Sequence, residues 1–484
     1  MSSGHPGAAS LSPFKEHEEP DLNIEFSNVE ARNKLERRLL WKLDLRMSML
    51  VLIYILNFMS NFSAARSRGL VTDLHLERKQ FATLLSILYV GYIIMQIPSN
   101  MFLNYIGKPS LYLPACMVIW GIISALTGIT AKYDVLSVSD ELLTTVLILA
   151  SPGVLLTRFF LGFVEAAFFP GAVFLISKWY KRDEIGLRLT ILSCGNIISS
   201  AFGALIASGI LSDMNDNLRH AAWRWLFYIE GALTVFVAII AVFILPDFPI
   251  NTKWLSDDER RLVLKRMEED AGVGDETETE QGGRCHGLYL AVTDWKVWWI
   301  ALAAASQVVA SSFAIYFPTL TATLGYNPTV TLLLVAPPFV CAAIVAFVLS
   351  RHSDRTQERF YHMSASYIVG MIGFIIAMCT MNTAALYLSL FLMEQSNAGI
   401  MLLRAVCFSL INSIQQLGSI AGSYVWQSNW GPTYRYSYGI CLAASSISIT
   451  MCWVFRQHLK TLNRKLEEEE QEKGIKERGF RYLP

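Results

Sequence analysis

Arg158, Gly162 and Glu165 lie within seven residues of one another, inside an otherwise apolar run of the chain. Offsets of four and seven place all three on one helical face. A charge inside a run long enough to cross a bilayer is costly, and it normally faces a cavity or a partner. One chemistry for such a stripe is capture of an anion by Arg158 beside a carboxyl, Glu165, that takes up and releases a proton. The other is a structural ion pair that closes a helix bundle. Spacing alone leaves both readings open. Two further carboxylates stand in apolar surroundings. Glu230 starts its run and reads as a satisfied interfacial charge. Glu394 lies deeper, in a run whose end departs from the pattern described below, and is discounted on that ground.

Uncharged polar groups can line a solute path. Asn57, Tyr89, Tyr92, Gln96, Tyr316, Asn412, Gln415 and Gln416 all fall inside apolar runs. Each taken singly reads as a helix-to-helix hydrogen bond. Together, Asn57, Tyr92, Gln96, Tyr316, Asn412 and Gln416 join Arg158 and Glu165 as the expected substrate and coupling set.

The elements that must position these groups follow from composition. Of 484 residues 53% are hydrophobic and 17% charged, against about 25% charged in soluble proteins. The apolar residues gather in runs of about 17 to 25, the length that crosses about 30 Å of hydrocarbon as a helix. Spans are expected near 47–65, 81–103, 111–129, 153–177, 189–211, 225–245, 297–320, 331–350, 364–382, 383–403, 405–426 and 435–455. The fold class is therefore an all-α membrane protein with about 12 transmembrane helices in two six-helix bundles. The expected divisions are a tail (1–46), a first bundle (47–245), a polar central loop (246–293), a second bundle (294–455) and a second tail (456–484). The stretch 1–31 is rich in Gly, Ser, Pro and Glu and reads as disordered. The basic stretch 32–46 reads as a short helix lying on the membrane surface.

Lys and Arg decide orientation. They crowd 32–46, 178–188, 253–284 and 351–359, and are absent from the seventh-to-eighth and ninth-to-tenth connections. This alternation places both tails and the central loop in the cytoplasm, although Arg66, Arg68, Arg78 and Lys79 in the first outer loop run against it. Two such bundles around a midplane site are the arrangement that exposes a solute alternately to each side. Small residues at 195, 199, 203 and 207, and at 418 and 422, suit close helix packing. Pro337 and Pro338 should bend the eighth span. Asp354, Arg355 and Arg359 occupy a short cytoplasmic connection, where they read either as a conformational gate or as a solvated ion pair of little energy.

The same inventory excludes several classes. Formal net charge is zero, so nothing general favours nucleic acid. The eight cysteines show no CxxC spacing and read as small apolar residues. No metal cluster, phosphate loop or nucleophile triad is visible, so neither an enzyme nor a bound cofactor is expected.

Several stretches resemble the major facilitator superfamily and, within it, the fungal anion:cation symporters, a group that includes allantoate and nicotinic acid permeases. They are Gln96–Asn100, Arg158–Gly171, Ser177–Tyr180, Trp223–Phe227, Leu245–Asp247, Asp294–Lys296, Leu324–Tyr326 and Gly422–Trp426, and the likeness runs from about Leu43 to the end. It implies a major facilitator fold and proton-driven uptake of a small carboxylate, such as nicotinate or allantoate. The implied setting is the plasma membrane, with the lipid bilayer and the organic anion as partners, and a monomer. The proton gradient supplies the drive. The family's Asp-Arg pair is missing from Leu56–Asn61, residues 133–152 form an insertion, and the tenth span is short after Ser396. These departures support a second expectation, a carrier fold with impaired transport. A nutrient sensor on the same scaffold is the other alternative.

Overall fold

The computed structural model describes residues 29–58, 65, 69–74, 76, 78–129, 153–213, 220–249, 251–252, 254–281, 292–356, 358–403 and 408–472. The insertion at 133–152, the outer end of span one beyond Phe58 and the connection 404–407 lie outside these residues. The described elements are all helices.

The first half comprises α1 (Val29–Phe58), α2 (Arg78–Ile106), α3 (Pro109–Ile129), α4 (Val154–Glu165), α5 (Phe168–Trp179), α6 (Arg182–Asp213) and α7 (Ala222–Ile244). The connecting helix α8 (Asp257–Gln281) follows. The second half comprises α9 (Trp295–Ala310), the short α10 (Phe317–Ala322), α11 (Pro328–Thr356), α12 (Phe360–Cys379), α13 (Thr383–Leu403), α14 (Phe408–Ser423) and α15 (Arg435–Glu472). Local chemistry sets several of these boundaries. Asn327 caps α11 by accepting from Val330 N at 2.8 Å, with Pro328 in the first helical position. Asp294 accepts from Lys296 N at 2.9 Å to cap α9. Ser256 and Glu259 exchange side-chain-to-backbone bonds of 3.3 and 3.2 Å, a capping box that starts α8. The fourth span breaks at Ala166–Ala167 because Pro170 offers no N–H and clashes with the carbonyl four residues earlier.

Helix pairings repeat between the halves. First and fifth spans pack together (α1 with α6; α9 with α14), as do second and fourth (α2 with α4; α11 with α13) and third and sixth (α3 with α7; α12 with α15). The halves meet where α6 runs along α11 and α2 along α14. At one end they share a single apolar core, in which Leu84, Ile197, Trp223 and Phe227 join Phe313, Phe317, Phe339 and Trp426. At the other end the cores are separate. One holds α1, α5 and Leu262 and Val263 of α8, and two small ones belong to the second half.

Among the described residues, nine helices are long and apolar enough to cross a membrane. The remaining expected spans, one, ten and eleven, are α1, α13 and α14. They fall outside that set because α1 carries 9 charged residues among its 30, the side chains of α13 are described only as far as Asn397, and α14 is described for only 16 residues. All three border the central cavity, where polar residues belong. Pro337 and Pro338 stand inside α11, which continues through them.

The basic stretch 32–46 is not a separate surface helix. It continues without a break into span one as a 30-residue helix, since nothing between Arg46 and Met47 interrupts it. Three of its charges, Arg32, Glu36 and Lys42, pair with α8. Arg32 reaches Glu269 at 2.5 Å and Lys42 reaches Glu259 at 2.5 Å. The Arg32 hydrogen bond holds the Glu269 carboxyl below the usual carboxylate range, with the Arg32 and Lys181 charges adding to it. Arg266 of α8 is 1% exposed and lies 2.6 Å from both Glu36 and Glu184. We expect Arg266→Met to leave these two carboxylates facing each other, at a cost of about 3–5 kcal/mol. The measurable result is a melting temperature several degrees lower in detergent, partly restored by adding Glu36→Gln.

Candidate functional site

A cavity of about 330 Å³ lies between the halves, walled by both. The first half presents Tyr54 and Asn57 from α1, Tyr89 and Tyr92 from α2, Arg158 and Glu165 from α4, Phe169 from α5, and Ser193, Asn196 and Ser200 from α6. The second half presents Ser311 and Ser312, Glu394 and Asn397 of α13, and Asn412, Gln416 and Ser419 of α14. Among the described residues, its charged groups come from two helices, α4 and α13.

Helix α4 reaches the cavity because it lies unusually close to α2. A Cβ on Gly162 would stand 1.9 Å from the Leu88 carbonyl oxygen, and one on Gly91 2.2 Å from that of Phe159. The glycine between Arg158 and Glu165 thus serves packing, and its absent side chain fixes where the two charges point. Arg158 is 2% exposed, and its guanidinium lies 5.7 Å from the centre of the Phe227 ring. The charges acting on it are those of Glu230 and Glu165, followed by the Tyr89 phenol. The Asn57 side chain faces the Glu165 carboxyl across the cavity wall and acts on it electrostatically. Arginine, carboxyl and amide therefore form one electrostatic unit across α1 and α4, with Glu230 of α7 behind it.

Two walls are stitched across the interface by neutral polar bonds. Asn412 Nδ2 donates to Tyr92 OH at 3.4 Å, and Ser413 Oγ to Gln96 Oε1 at 2.9 Å. The Gln415 amide donates to Asn412 Oδ1. Thr190 and Ser350 are 2.6 Å apart between α6 and α11. At the shared-core end, Ser86 Oγ donates to Tyr424 OH at 3.1 Å. There Trp426 donates to Ser312 Oγ at 2.9 Å and stacks on Tyr316, with ring centres 6.0 Å apart.

Of the residues singled out by sequence, Asn57, Tyr92, Arg158, Glu165, Asn412 and Gln416 line the cavity together. Gln96 and Tyr316 stand behind the wall. Gln96 is fully buried against Ser413, and Tyr316 donates to the Ser423 carbonyl at 2.8 Å. Glu394, discounted in the sequence, is on the wall. Its rule was already available, since a carboxyl within a membrane run is a candidate by default. Arg355 is exposed in the last turn of α11, and Arg359 immediately precedes α12. Asp354 belongs to α11, with a side chain outside the described set.

Span seven is broken beside the cavity. Helix α9 ends at Ala310, a 3-10 turn covers Ser311–Ala314, and α10 restarts at Phe317 with Pro318 in its first turn. Irregular backbone at membrane depth is tolerated where it is buried in protein or lines a cavity, and Ser311 and Ser312 do line it.

Two repeated helical bundles around a buried, charged cavity define a polytopic membrane transporter. A profile of the Major Facilitator Superfamily matches residues 47–417, and the chain belongs to that superfamily. It is a transporter and not an enzyme. The transporter prlL of Fungal sp. (strain NRRL 50135) is 31% identical over 367 residues, covering 74% of this chain and 68% of the relative. The transporter cnsO of Penicillium expansum is 30% identical, covering 84% and 80%. A protein of Agrobacterium vitis provisionally named a tartrate transporter is 28% identical, covering 71% and 74%. Among solved structures, the xylose transporter XylE from E. coli in a partially occluded inward open conformation superposes with a TM-score of 0.60. It is 16% identical, covering 86% of this chain and 98% of that one. A bacterial homolog of the human lysosomal transporter Spinster gives 0.59 at 15% identity, covering 85% and 96%. At these identities the structures speak for the fold alone.

Proposed function

We propose that this protein takes up a small organic anion together with protons, by alternating access across the plasma membrane, in the manner of the anion:cation symporters. The observation that carries the proposal is the Arg158–Glu165–Asn57 unit on the wall of a cavity between two bundles. While Glu165 is ionised, its charge holds Arg158. A proton on Glu165 removes that attraction, and the guanidinium, with Glu230 still behind it, then favours a substrate carboxylate on the cavity side. Proton and anion are thereby favoured together and each is disfavoured alone. Gly195 packs α6 on α1 and Gly418 packs α14 on α9, close crossings within each half that let it move as a unit. The separate cores at the α8 end fit a cavity that communicates with that side while the shared core seals the other. Asp354, Arg355 and Arg359 are assigned to the switch at the α11–α12 connection. The provisional name of the A. vitis relative agrees with a carboxylate substrate, and the panel includes nicotinate, which has no hydroxyl or N–H donor, and allantoate, which has several.

The test is uptake of a panel of labelled carboxylates by a host strain lacking its own carriers. At least one should accumulate saturably, faster at pH 5 than at pH 7.5, and collapse with a protonophore. No uptake of any panel member, at verified surface expression, would sink the reading.

A further inference from the structure

Glu394 is fully buried on the second-half wall of the cavity. Its Oε1 accepts from the Asn397 amide at 2.5 Å. Its Oε2 is buried and has no hydrogen-bond partner among the described residues. A buried carboxylate oxygen left in this state costs far more than one that is bonded. The wall around it offers Asn397, Asn412, Gln416, Ser311, Ser312 and Ser419, all neutral, while the cavity's cation stands on the opposite half.

We infer that Glu394 Oε2 accepts a hydrogen bond from the transported molecule, so the substrate class is a carboxylate that also carries a hydroxyl or N–H donor away from its carboxylate. This rests on the reading that Arg158 receives the carboxylate. The two walls then read the two ends of one molecule: the first half takes the charge, and the second half takes the donor. A molecule without the donor leaves Oε2 dry and unsatisfied, which is the situation in which sites discriminate most strongly against a missing polar group. The same bridging also gives the substrate a hold on both bundles at once.

Tartrate and succinate share a four-carbon dicarboxylate skeleton and differ in two hydroxyls, so they isolate the donor. We would measure binding of each to the purified full chain by thermal shift and by competition with a labelled panel substrate. Wild type is expected to bind tartrate at least about tenfold more tightly than succinate. Glu394→Leu should bring the two within about twofold by weakening tartrate alone. Glu394→Gln keeps an acceptor oxygen and should retain part of the preference, which guards against a Leu variant that fails to fold. Equal binding of both acids by wild type, or a tartrate preference untouched in both variants, would overturn the inference while leaving anion transport standing. Equal weakening of both acids would mark Glu394 as structural and also overturn it. Failure of either acid to bind, with no panel uptake, would remove the inference together with the reading beneath it.

Discussion

Replacing Arg158 with alanine should reduce uptake by at least about a hundredfold while the protein still reaches the membrane. Arg158 is the cavity's one positive charge among the described residues, and burial makes its charge hard to replace with water. Truncating one partner of a buried charge pair costs about 3–5 kcal/mol, and each 1.36 kcal/mol is tenfold in rate. Two losses combine: the substrate's counter-charge disappears, and Glu165 and Glu230 lose the guanidinium that offsets them. Arg158→Lys should recover only part, because an ammonium keeps the charge but not the planar fork that holds a carboxylate by two bonds. Surface biotinylation beside the uptake assay separates lost transport from lost protein. Unchanged uptake at equal surface expression would remove Arg158 from the mechanism.

The second large effect is expected at Gly162. A Cβ there would lie 1.9 Å from a backbone oxygen of Leu88, and backbone cannot move aside as a flexible side chain does. Even Gly162→Ala forces α2 and α4 apart, and Gly162→Leu adds bulk to the same crossing. Overpacking of this kind costs about 1–3 kcal/mol or more. We therefore expect Gly162→Leu to show little monodisperse protein on size exclusion, with Gly162→Ala intermediate. Gly209, where a Cβ meets nothing within 4 Å, supplies the control: Gly209→Ala should behave as wild type.

Much of this architecture was legible because membrane spans announce themselves. Long apolar runs, the loop charges and Arg158 with Glu165 can each be read from residue type and spacing. What could not be read is rotation. Gln96 and Tyr316 carry the same chemistry as Tyr92 and Asn412, yet the packing of α2 and the turn at Ser311–Ala314 direct them into protein and their neighbours into the cavity. Position along a span does not fix the angle about its axis. Glu394 was discounted for a different reason. Its chemistry pointed to the cavity, but the altered pattern after Ser396 bears on the end of the span, whereas the carboxyl stands in its middle. The continuous α1 was hidden because a basic stretch and an apolar stretch look like two elements until α8 supplies Glu259 and Glu269 as partners. The break in span seven had a visible marker in Pro318, although a proline alone does not say that the backbone before it will line a cavity.

The central claim is that Glu165 carries the proton that lets Arg158 take the anion. It is tested most directly in liposomes that hold the purified chain and a labelled substrate from the uptake panel. With an acidic exterior and a neutral lumen, wild type should accumulate substrate above the external concentration and lose it when the gradient is dissipated. Glu165→Gln, fixed in the neutral form, should still exchange substrate across the membrane but should not accumulate it. Accumulation by Glu165→Gln equal to wild type, or wild-type uptake indifferent to the gradient, would contradict the account.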